Sequence, residues 1–466
     1  MIDAARPYVI AVVGAGPSGI YAAEALVQQS EVPVRVAVID RLPVPFGLVR
    51  YGVAPDHHSI RSIRNTLERT LEKSGVRFYG NVTIGSDLGI DELRGCVDAV
   101  IYAYGAGSHK LLGVPGEDLP GVIAAPDFVA WYCGHPDVHP DVEDPAPEPG
   151  LAVQLINRAR SAVVVGVGNV ALDVARVLIK SADQLSDTDM AEDVLDSLSR
   201  KEVRDVHLLG RRGPAYTSFT TKELRELGQL DGVELMIDTR DLDLDESSRA
   251  VVARDKVAAR NVALFADWAA RPRTGAPQRI WFHFWTRPVS ILGDEAVRAV
   301  MVERTMIDSA GLVVGTGESR EIPTQLVVRS VGYRGVELPG VPFDAATGRV
   351  PHAEGRVIRD GGFSPDEYVT GWIKRGPTGV IGTNKSDAVE TVTSLLADIA
   401  DGAIEPSHQP EELDRLLAAR GIHPLDLPAW HRIDAAEIDL GQSHGRRRTT
   451  LAHRSELLAA AEEPAD

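Results

Sequence analysis

The chain of 466 residues carries a formal net charge of −18, from 67 acidic against 49 basic residues, and 44% of it is hydrophobic. This length predicts roughly two to four domains, and the composition is typical of a soluble globular protein rather than a disordered one. The acidic excess argues against a nucleic-acid-binding protein, which presents a basic surface.

The cysteine and histidine content excludes further classes. Cys96 and Cys133 form no CxxC pair, so a dithiol–disulfide relay is excluded, and two thiols cannot ligate an ordinary iron–sulfur cluster. The histidines show no HxxH or HExxH spacing, so no metal site is expected. So few cysteines suit a reducing compartment, and we expect a cytoplasmic protein. No apolar run is long enough for a membrane span.

The first elements along the chain form a nucleotide-binding pattern. The apolar run 8–13 predicts a strand, the turn GAGPSG follows it, residues 20–29 are compatible with a helix, and residues 34–39 predict a second strand that ends at Asp40. In such a turn Gly14 makes the bend, Gly16 lets backbone N–H groups approach a pyrophosphate, and Gly19 lets the helix pack on the strand. A carboxylate at Asp40 would bind a ribose 2′-hydroxyl and repel a 2′-phosphate.

The pattern returns after residues 136–150, whose Pro, Asp and Glu content predicts an exposed connection. Residues 161–165 predict a strand, residues 166–171 a GxGxxA turn and residues 171–179 a helix. The next predicted strand, 203–209, leads to Arg211 and Arg212 in place of an acid. Two guanidinium groups at this position would bind a 2′-phosphate, which favours NADP.

The sequence therefore predicts two bound dinucleotides, one that carries an additional phosphate and one that does not. This makes chemical sense if one is a flavin and the other delivers hydride to it, because a flavin takes two electrons and can release them singly.

Later segments are less specific. Residues 280–285, 297–303 and 312–314 predict a β-rich stretch, and residues 326–331 a buried strand. The glycine-dense loop 371–383 precedes a predicted helix at 387–399. The polar segment after Gly402 predicts helices packed on the outside, and the run Arg446, Arg447 and Arg448 reads equally well as a basic patch or a solvated tail.

Several long strings resemble one known family. The strings are FGLVRYGVAPDH from Phe46 to His57, GVGNVALDVAR from Gly166 to Arg176, GRRGP from Gly210, FTTKELREL from Phe219 and GWIKRGPTGVIGT from Gly371. They are similar to the signatures of adrenodoxin-reductase-type NADPH:ferredoxin reductases, and the similarity runs from about residue 7 to about residue 458.

The resemblance implies an α/β fold with two Rossmann-like dinucleotide-binding domains, in which the NADP domain is inserted into a discontinuous FAD domain. The expected segments are 1–108 for the first FAD part, 109–330 for the NADP domain, and 331–466 for the second FAD part with a C-terminal helical tail.

The resemblance also implies the cofactor contacts. The FAD contacts carried over, beside the turn glycines, are Ser18, Asp40, Leu48, Val82, Trp372, Gly379, Val380 and Ile381. The NADP contacts carried over are Val167, Gly168, Asn169, Val170, Arg211, Arg212, Glu223 and Gly379, the last where nicotinamide and flavin meet. Lys110 stands where the family commonly has an arginine, and Asp40 replaces a more usual glutamate.

His57 and Glu226 are the ionisable residues that the resemblance places near that meeting point. Imidazole titrates near neutral pH and could handle protons, so both are catalytic candidates. Capping of a helix that begins near Ser59 is an equally weighted role for His57.

The expected partner is a ferredoxin, a small acidic iron–sulfur protein, which would need a locally basic docking face. Arg225, with Arg61 and Arg64, could supply it, although the sequence alone favours a solvated surface arginine at each position. The expected activity is NADPH-dependent, FAD-mediated reduction of ferredoxin. One alternative is the NADPH-oxidising subunit of a glutamate-synthase-like complex, and another is a binding module that senses nucleotides without catalysis.

Overall fold

The computed structural model describes residues 6–29, 32–139 and 156–462. The chain divides into two compact units, one formed by Met1–Ser108 with Gly332–Asp466 and the other by His109–Val331. Most of the predicted exposed connection at 136–150 lies outside the described residues.

The strands are numbered in chain order. They are β1 (Tyr8–Val13), β2 (Val34–Ile39), β3 (Val76–Tyr79), β4 (Ala99–Tyr102), β5 (Ser108–His109), β6 (Val122–Ala124), β7 (Ser161–Val165), β8 (Asp205–Leu209), β9 (Val233–Ile237), β10 (Gln278–His283), β11 (Thr286–Gly293), β12 (Val297–Ile307), β13 (Val313–Pro323), β14 (Leu326–Arg329), β15 (Tyr333–Arg334), β16 (His352–Ala353), β17 (Arg356–Arg359) and β18 (Gly362–Val369).

The helices bounded within the described residues are numbered in the same way. They are α1 (Pro17–Gln28), α2 (Leu48–Tyr51), α3 (His58–Arg61), α4 (Arg64–Leu71), α5 (Ile90–Arg94), α6 (Ala125–Tyr132), α7 (Asn169–Ile179), α8 (Glu192–Ser199), α9 (Thr221–Leu227), α10 (Glu246–Arg254), α11 (Lys256–Ala270), α12 (Trp372–Arg375), α13 (Thr383–Ala400), α14 (Glu412–Ala419), α15 (Leu427–Ser443) and α16 (Arg454–Ala461). Short 3₁₀ helices lie at Asp183–Leu185, Pro214–Tyr216 and Thr239–Leu242.

The first unit is built on a seven-stranded sheet in the order β16-β17-β18-β4-β1-β2-β3. The pairs around β1 and β4 are parallel, and β16, β17 and β18 pair antiparallel. β1 is central and all but its first residue is buried, as its continuous apolar sequence predicts for a strand covered on both faces. Because β1 and β2 are parallel neighbours, the turn after β1 and Asp40 after β2 lie at the same edge of the sheet.

The C-terminal segment forms helices, as predicted, but its predicted position outside the core is only partly right. Leu413 and Leu417 of α14 belong to the core cluster that also holds β1 and β4 residues. Trp430 of α15 is completely buried, and so is the Glu437 side chain. The polar composition concealed these contacts, because isolated buried side chains on a mostly polar helix leave a weak periodic signal.

The second unit contains a six-stranded sheet in the order β6-β14-β7-β8-β10-β9, whose described pairs are all parallel. A separate antiparallel sheet, β11-β12-β13, accounts for the predicted β-rich stretch. Both units are thus α/β, and the second is inserted between the two segments of the first, in agreement with the expected fold class. None of the helices in the described ranges is long and apolar enough to cross a membrane.

Two histidines lie side by side on the second sheet. His207 of β8 and His283 of β10 place Nδ1 and Nε2 at 2.9 Å, with their rings 16° apart. Burial lowers the pKa of His207 to about 4 and that of His283 to about 3. An exposed imidazole titrates near about pH 6.5, so the unfolded chain binds more protons than the folded one between that pH and about pH 4. The contribution of this pair to the free energy of unfolding therefore falls as the pH decreases through this window.

We expect the double variant His207→Leu with His283→Leu to lose less stability on acidification than the wild type. The difference should reach at most about 1.4 kcal/mol per pH unit for each histidine removed. Chemical denaturation at several pH values below neutrality measures it, with exposed His423→Leu as the control. Equal pH slopes for the wild type and the double variant would contradict the buried neutral pair.

Candidate functional site

The turn after β1 can be made only with glycine at two positions. Gly14 has φ +114°, and a Cβ there would lie 2.6 Å from the Ala103 carbonyl oxygen. A Cβ on Gly19 would lie 1.9 Å from the Gly14 carbonyl oxygen. Both distances are impossible for real side chains, so the fold itself requires these two glycines of the predicted turn.

The third glycine of the turn serves a different purpose. Gly16 is the N-cap of α1, and no side chain caps this helix end. A Cβ on Gly47, whose φ is +47°, would lie 3.0 Å from the Gly16 Cα, so two backbones meet here without side chains. Uncapped N–H groups at the positive end of a helix dipole bind a pyrophosphate well. The residues therefore fit the diphosphate of FAD.

Asp40 connects β2 to this turn. Its Oδ2 accepts the Ala15 N–H at 2.7 Å, and its Oδ1 accepts the Leu42 N–H at 2.9 Å. The backbone carbonyl of Asp40 accepts the N–H of Val82, which is buried. Asp40 is therefore held in place by the loops around it rather than being a solvated strand end. Its bond to a ribose hydroxyl stays a prediction.

The second chain segment of the unit reaches the same turn. The Ser18 hydroxyl donates to Asn384 Oδ1 at 3.0 Å, and a Cβ on Gly371 would lie 2.3 Å from Ser18 Oγ. The Gly371 N–H donates to the buried Asp387 at 2.5 Å. The structure thereby brings the predicted FAD contact Ser18 next to Gly371, the residue that precedes half-buried Trp372.

The remaining predicted FAD residues differ in accessibility. Leu48 and Ile381 are half-buried, whereas Gly379 and Val380 are exposed. Val380 is 59% exposed, and its contact with FAD stays a prediction.

A buried ion cluster holds the Phe46–Gly52 loop. Phe46 adopts φ +86°, its N–H donates to the Ala15 carbonyl at 2.8 Å, and its ring packs edge-on against Trp430. Arg50 of α2 donates from Nη1 to Glu437 Oε2 at 3.1 Å and also from Nη2 to Oε1. Arg448 Nη1 donates to Glu437 Oε2 at 2.8 Å.

Glu437 is thus the anion that both buried arginines share. Burial alone would raise the pKa of Glu437, but Arg50 and Arg448 more than offset it and hold the pKa below its ordinary value. Arg448 is consequently not part of a solvated tail, which was one prediction for that run. Sequence reasoning missed Glu437 altogether, because nothing in the pattern of α15 distinguishes it from exposed acids such as Asp439.

The second turn repeats the geometry of the first in the other unit. Gly166 has φ +138°, and a Cβ there would lie 2.2 Å from the Ser330 carbonyl oxygen. Gly168 is the N-cap of α7, which no side chain caps, and a Cβ on it would meet nothing within 4 Å. This open, uncapped helix end fits the diphosphate of a second dinucleotide. Val167 and Val170 are half-buried beside it.

The arginine pair beyond β8 has a hydrogen-bonded backbone and exposed side chains. The Arg211 carbonyl accepts the buried Thr305 hydroxyl at 2.9 Å, and the Arg212 carbonyl accepts the Trp285 N–H at 3.2 Å. Both arginines are exposed, and Arg212 lies over the Tyr216 ring at 5.2 Å. Two positioned cations beside a dinucleotide turn are what recognition of a 2′-phosphate requires.

Two other predicted NADP residues meet at Thr220. Its N–H is shared by Asn169 Oδ1 at 3.1 Å and Glu223 Oε2 at 3.4 Å, and Thr220 with Glu223 forms the capping box of α9. Glu223 therefore has a structural role, and its contact with NADP stays a prediction. Lys110 is exposed on the same unit.

His57 and Glu226 are placed differently from each other. His57 is 7% exposed and is the N-cap of α3, but its side chain makes no capping bond, so the predicted capping role is wrong. Glu226 is half-buried and pairs with Lys222 at 3.9 Å. Each belongs to a different unit, and their predicted joint role stays a prediction.

The docking candidates also differ. Arg225 is exposed, as a docking residue must be. Arg61 donates to the Val53 carbonyl at 2.9 Å, and Arg64 pairs with Asp434 at 3.6 Å. These two are half-buried and serve the fold, so neither is a simple solvated arginine.

The chain resembles known proteins over nearly its whole length. The pyridine nucleotide-disulphide oxidoreductase family profile matches residues 8–261. NADPH-ferredoxin reductase FprA of Mycobacterium tuberculosis is 45% identical over 97% of this chain and 99% of that protein. The mitochondrial NADPH:adrenodoxin oxidoreductase of Homo sapiens is 38% identical over 96% of this chain and 91% of that protein.

Solved structures agree with these relatives. The structure of Mycobacterium tuberculosis FprA in complex with NADPH superimposes with a TM-score of 0.89 at 45% identity, covering 98% of this chain and 100% of that one.

We expect Glu437→Gln to loosen the Phe46–Gly52 loop and to weaken flavin retention. The variant leaves Arg50 buried without its anion, while Arg448 keeps its pair with Asp434. Loss of the buried Arg50 pair should cost about 3–5 kcal/mol of stability. Denaturant unfolding of the apoprotein and the flavin content after gel filtration report the two effects. The matched control is Asp439→Asn, which removes the same charge from an exposed position of the same helix. Unchanged stability and flavin content in Glu437→Gln would contradict the role of the buried ion cluster in holding the Phe46–Gly52 loop.

Proposed function

This chain belongs to the pyridine nucleotide-disulphide oxidoreductase family, and from that premise we propose that it oxidises NADPH and passes the electrons through FAD to a ferredoxin. The resemblance found in the sequence is confirmed, because relatives named as ferredoxin and adrenodoxin reductases align over almost the whole chain. Those relatives are oxidoreductases, so the interpretation as an enzyme takes precedence over that of a nucleotide sensor.

The proposal rests on the opposite charges of the residues that follow the two turns. The first turn is followed by a carboxylate, Asp40, and the second by two exposed guanidinium groups, Arg211 and Arg212. A carboxylate suits an unphosphorylated ribose, as in FAD, and the arginines suit the 2′-phosphate of NADPH. We therefore assign FAD to residues 1–108 with 331–466, and NADP(H) to residues 109–330.

The residues have distinct proposed tasks. FAD, when bound, supplies the two-electron to one-electron conversion. Ser18, Asp40, Leu48, Val82 and Trp372 would hold it in the first unit, with Gly379, Val380 and Ile381 contributing backbone and an apolar surface.

In the second unit the turn residues Val167–Val170, with Glu223 and Lys110, would position the nicotinamide dinucleotide, and Arg211 and Arg212 would select it. His57 would accept or donate a proton during flavin reduction, with Glu226 as the second ionisable group.

The acceptor and location follow the relatives and the composition. An acidic ferredoxin would meet exposed Arg225 among its basic contacts, since electrostatic attraction guides such transient encounters. The sequence has only two cysteines, Cys96 and Cys133, and so few cysteines support a reducing compartment, the cytoplasm.

The test replaces Arg211 and Arg212 by glutamine and measures ferredoxin reduction with NADPH and with NADH. Losing both charge-assisted contacts should cost about 2–4 kcal/mol in kcat/KM for NADPH, and NADH turnover should change little. Exposed Arg200→Gln, elsewhere on the same unit, is the matched control. Equal losses with both nucleotides would refute the NADP assignment, and a wild type that reduces no ferredoxin would refute the acceptor.

A further inference from the structure

A second pocket of the NADP-binding unit has no role in the proposed reaction. It encloses about 530 Å³. Ile237 and His283, the last residues of β9 and β10, line it, so it opens at the carboxyl ends of parallel strands, where α/β sheets bind ligands. The residues that decide its chemistry are Arg240, Arg273, Arg304, Arg320, Trp281 and His283.

The four arginines are not equally neutralised. Arg240 forms a two-pronged pair with Asp238 at 3.0 and 3.1 Å, and Arg304 pairs with Asp241 at 2.8 Å. Within the described residues no carboxylate pairs with Arg273 or with Arg320. Arg273 lies against the uncharged sulfur of Met236.

The lining therefore carries four cations against the three carboxylates of Asp238, Asp241 and Glu318, an excess of one positive charge.

Arg320 is oriented by a neutral group instead of an anion. Its Nη2 lies 3.0 Å from His283 Nδ1, and because a guanidinium has no acceptor, that nitrogen must be the acceptor. The proton of His283 then sits on Nε2 and is donated to His207 Nδ1 at 2.9 Å. The neutral histidine pair thus fixes the direction of the guanidinium and leaves its charge uncompensated.

An apolar surface completes the pocket. Trp281 is half-buried, its indole N–H is already bound to Asp205 at 2.9 Å, and its ring lies 6.2 Å from the His283 ring with the two planes 2° apart. The indole can therefore contact a ligand with its apolar ring surface, but its N–H is not available for a hydrogen bond to that ligand. A positioned guanidinium beside an aromatic surface matches a phosphate group carried on a small organic body.

We propose that this pocket binds a small phosphate-bearing ligand, with Arg320 and Arg273 holding the phosphate and Trp281 contacting the remainder. The pocket shares no lining residue with the dinucleotide turns, although Thr286 of its lining donates its N–H to the Gly210 carbonyl at 2.9 Å. The proposal does not depend on the proposed reaction. Inorganic phosphate and a phosphate monoester both carry the phosphate that the arginines would bind, and the experiment below distinguishes between these two ligands.

The experiment titrates the FAD-loaded protein, saturated with NADP⁺, with phenyl phosphate and separately with inorganic phosphate by calorimetry. NADP⁺ fills the nucleotide site, so the heat reports on the second pocket. We expect the double variant Arg273→Gln with Arg320→Gln to bind at least about tenfold more weakly. Arg298→Gln is the matched control, because Arg298 is exposed on β12 and pairs with Glu321 outside the lining.

Tighter binding of phenyl phosphate would assign the site to a monoester, and equal binding would assign it to free phosphate. Equal affinities of the double variant and the control would overturn the proposal. So would binding that appears only when NADP⁺ is left out, since the anion would then occupy the nucleotide site.

Discussion

The close approach of bare backbone at two strand-to-helix turns is the constraint on which the rest of this molecule depends. At Gly14, Gly19 and Gly166 a single added carbon would overlap a nearby carbonyl oxygen, so each turn has only one way to close. That closure leaves the N-termini of α1 and α7 without a side-chain cap. Each uncapped end presents donors and a partial positive charge where a diphosphate can lie.

The proposed selectivity lies at the end of the following strand, in residues that hydrogen bonds hold to their neighbours. Asp40 is fixed by N–H groups of two loops, and Arg211 and Arg212 are fixed through their carbonyls by Thr305 and Trp285. The carboxylate of Asp40 and the guanidinium groups of Arg211 and Arg212 are the groups that we propose to distinguish the two riboses. The same architecture thus serves two different nucleotides by changing a few side chains.

The sequence correctly predicted those elements whose structure depends on residues close together in the chain. The bounds of β1, β2 and β7 agree with the predicted strands, and both glycine turns lie where expected. The Glu437 cluster could not be predicted, because it joins residues almost four hundred positions apart in the sequence. The sequence also could not predict that a neutral histidine orients Arg320, because this contact depends on the pairing of β8 with β10. His57 lies at the expected helix start, but its side chain does not cap it.

The proposed activity requires that one chain hold both a flavin and the nicotinamide dinucleotide that reduces it. The most direct measurement is an anaerobic titration of the flavin-loaded protein with NADPH, followed by its visible absorbance. We expect the flavin absorbance to bleach at about one NADPH per flavin and to return when oxidised ferredoxin is added. A protein that binds both nucleotides while its flavin spectrum stays oxidised would contradict the claim.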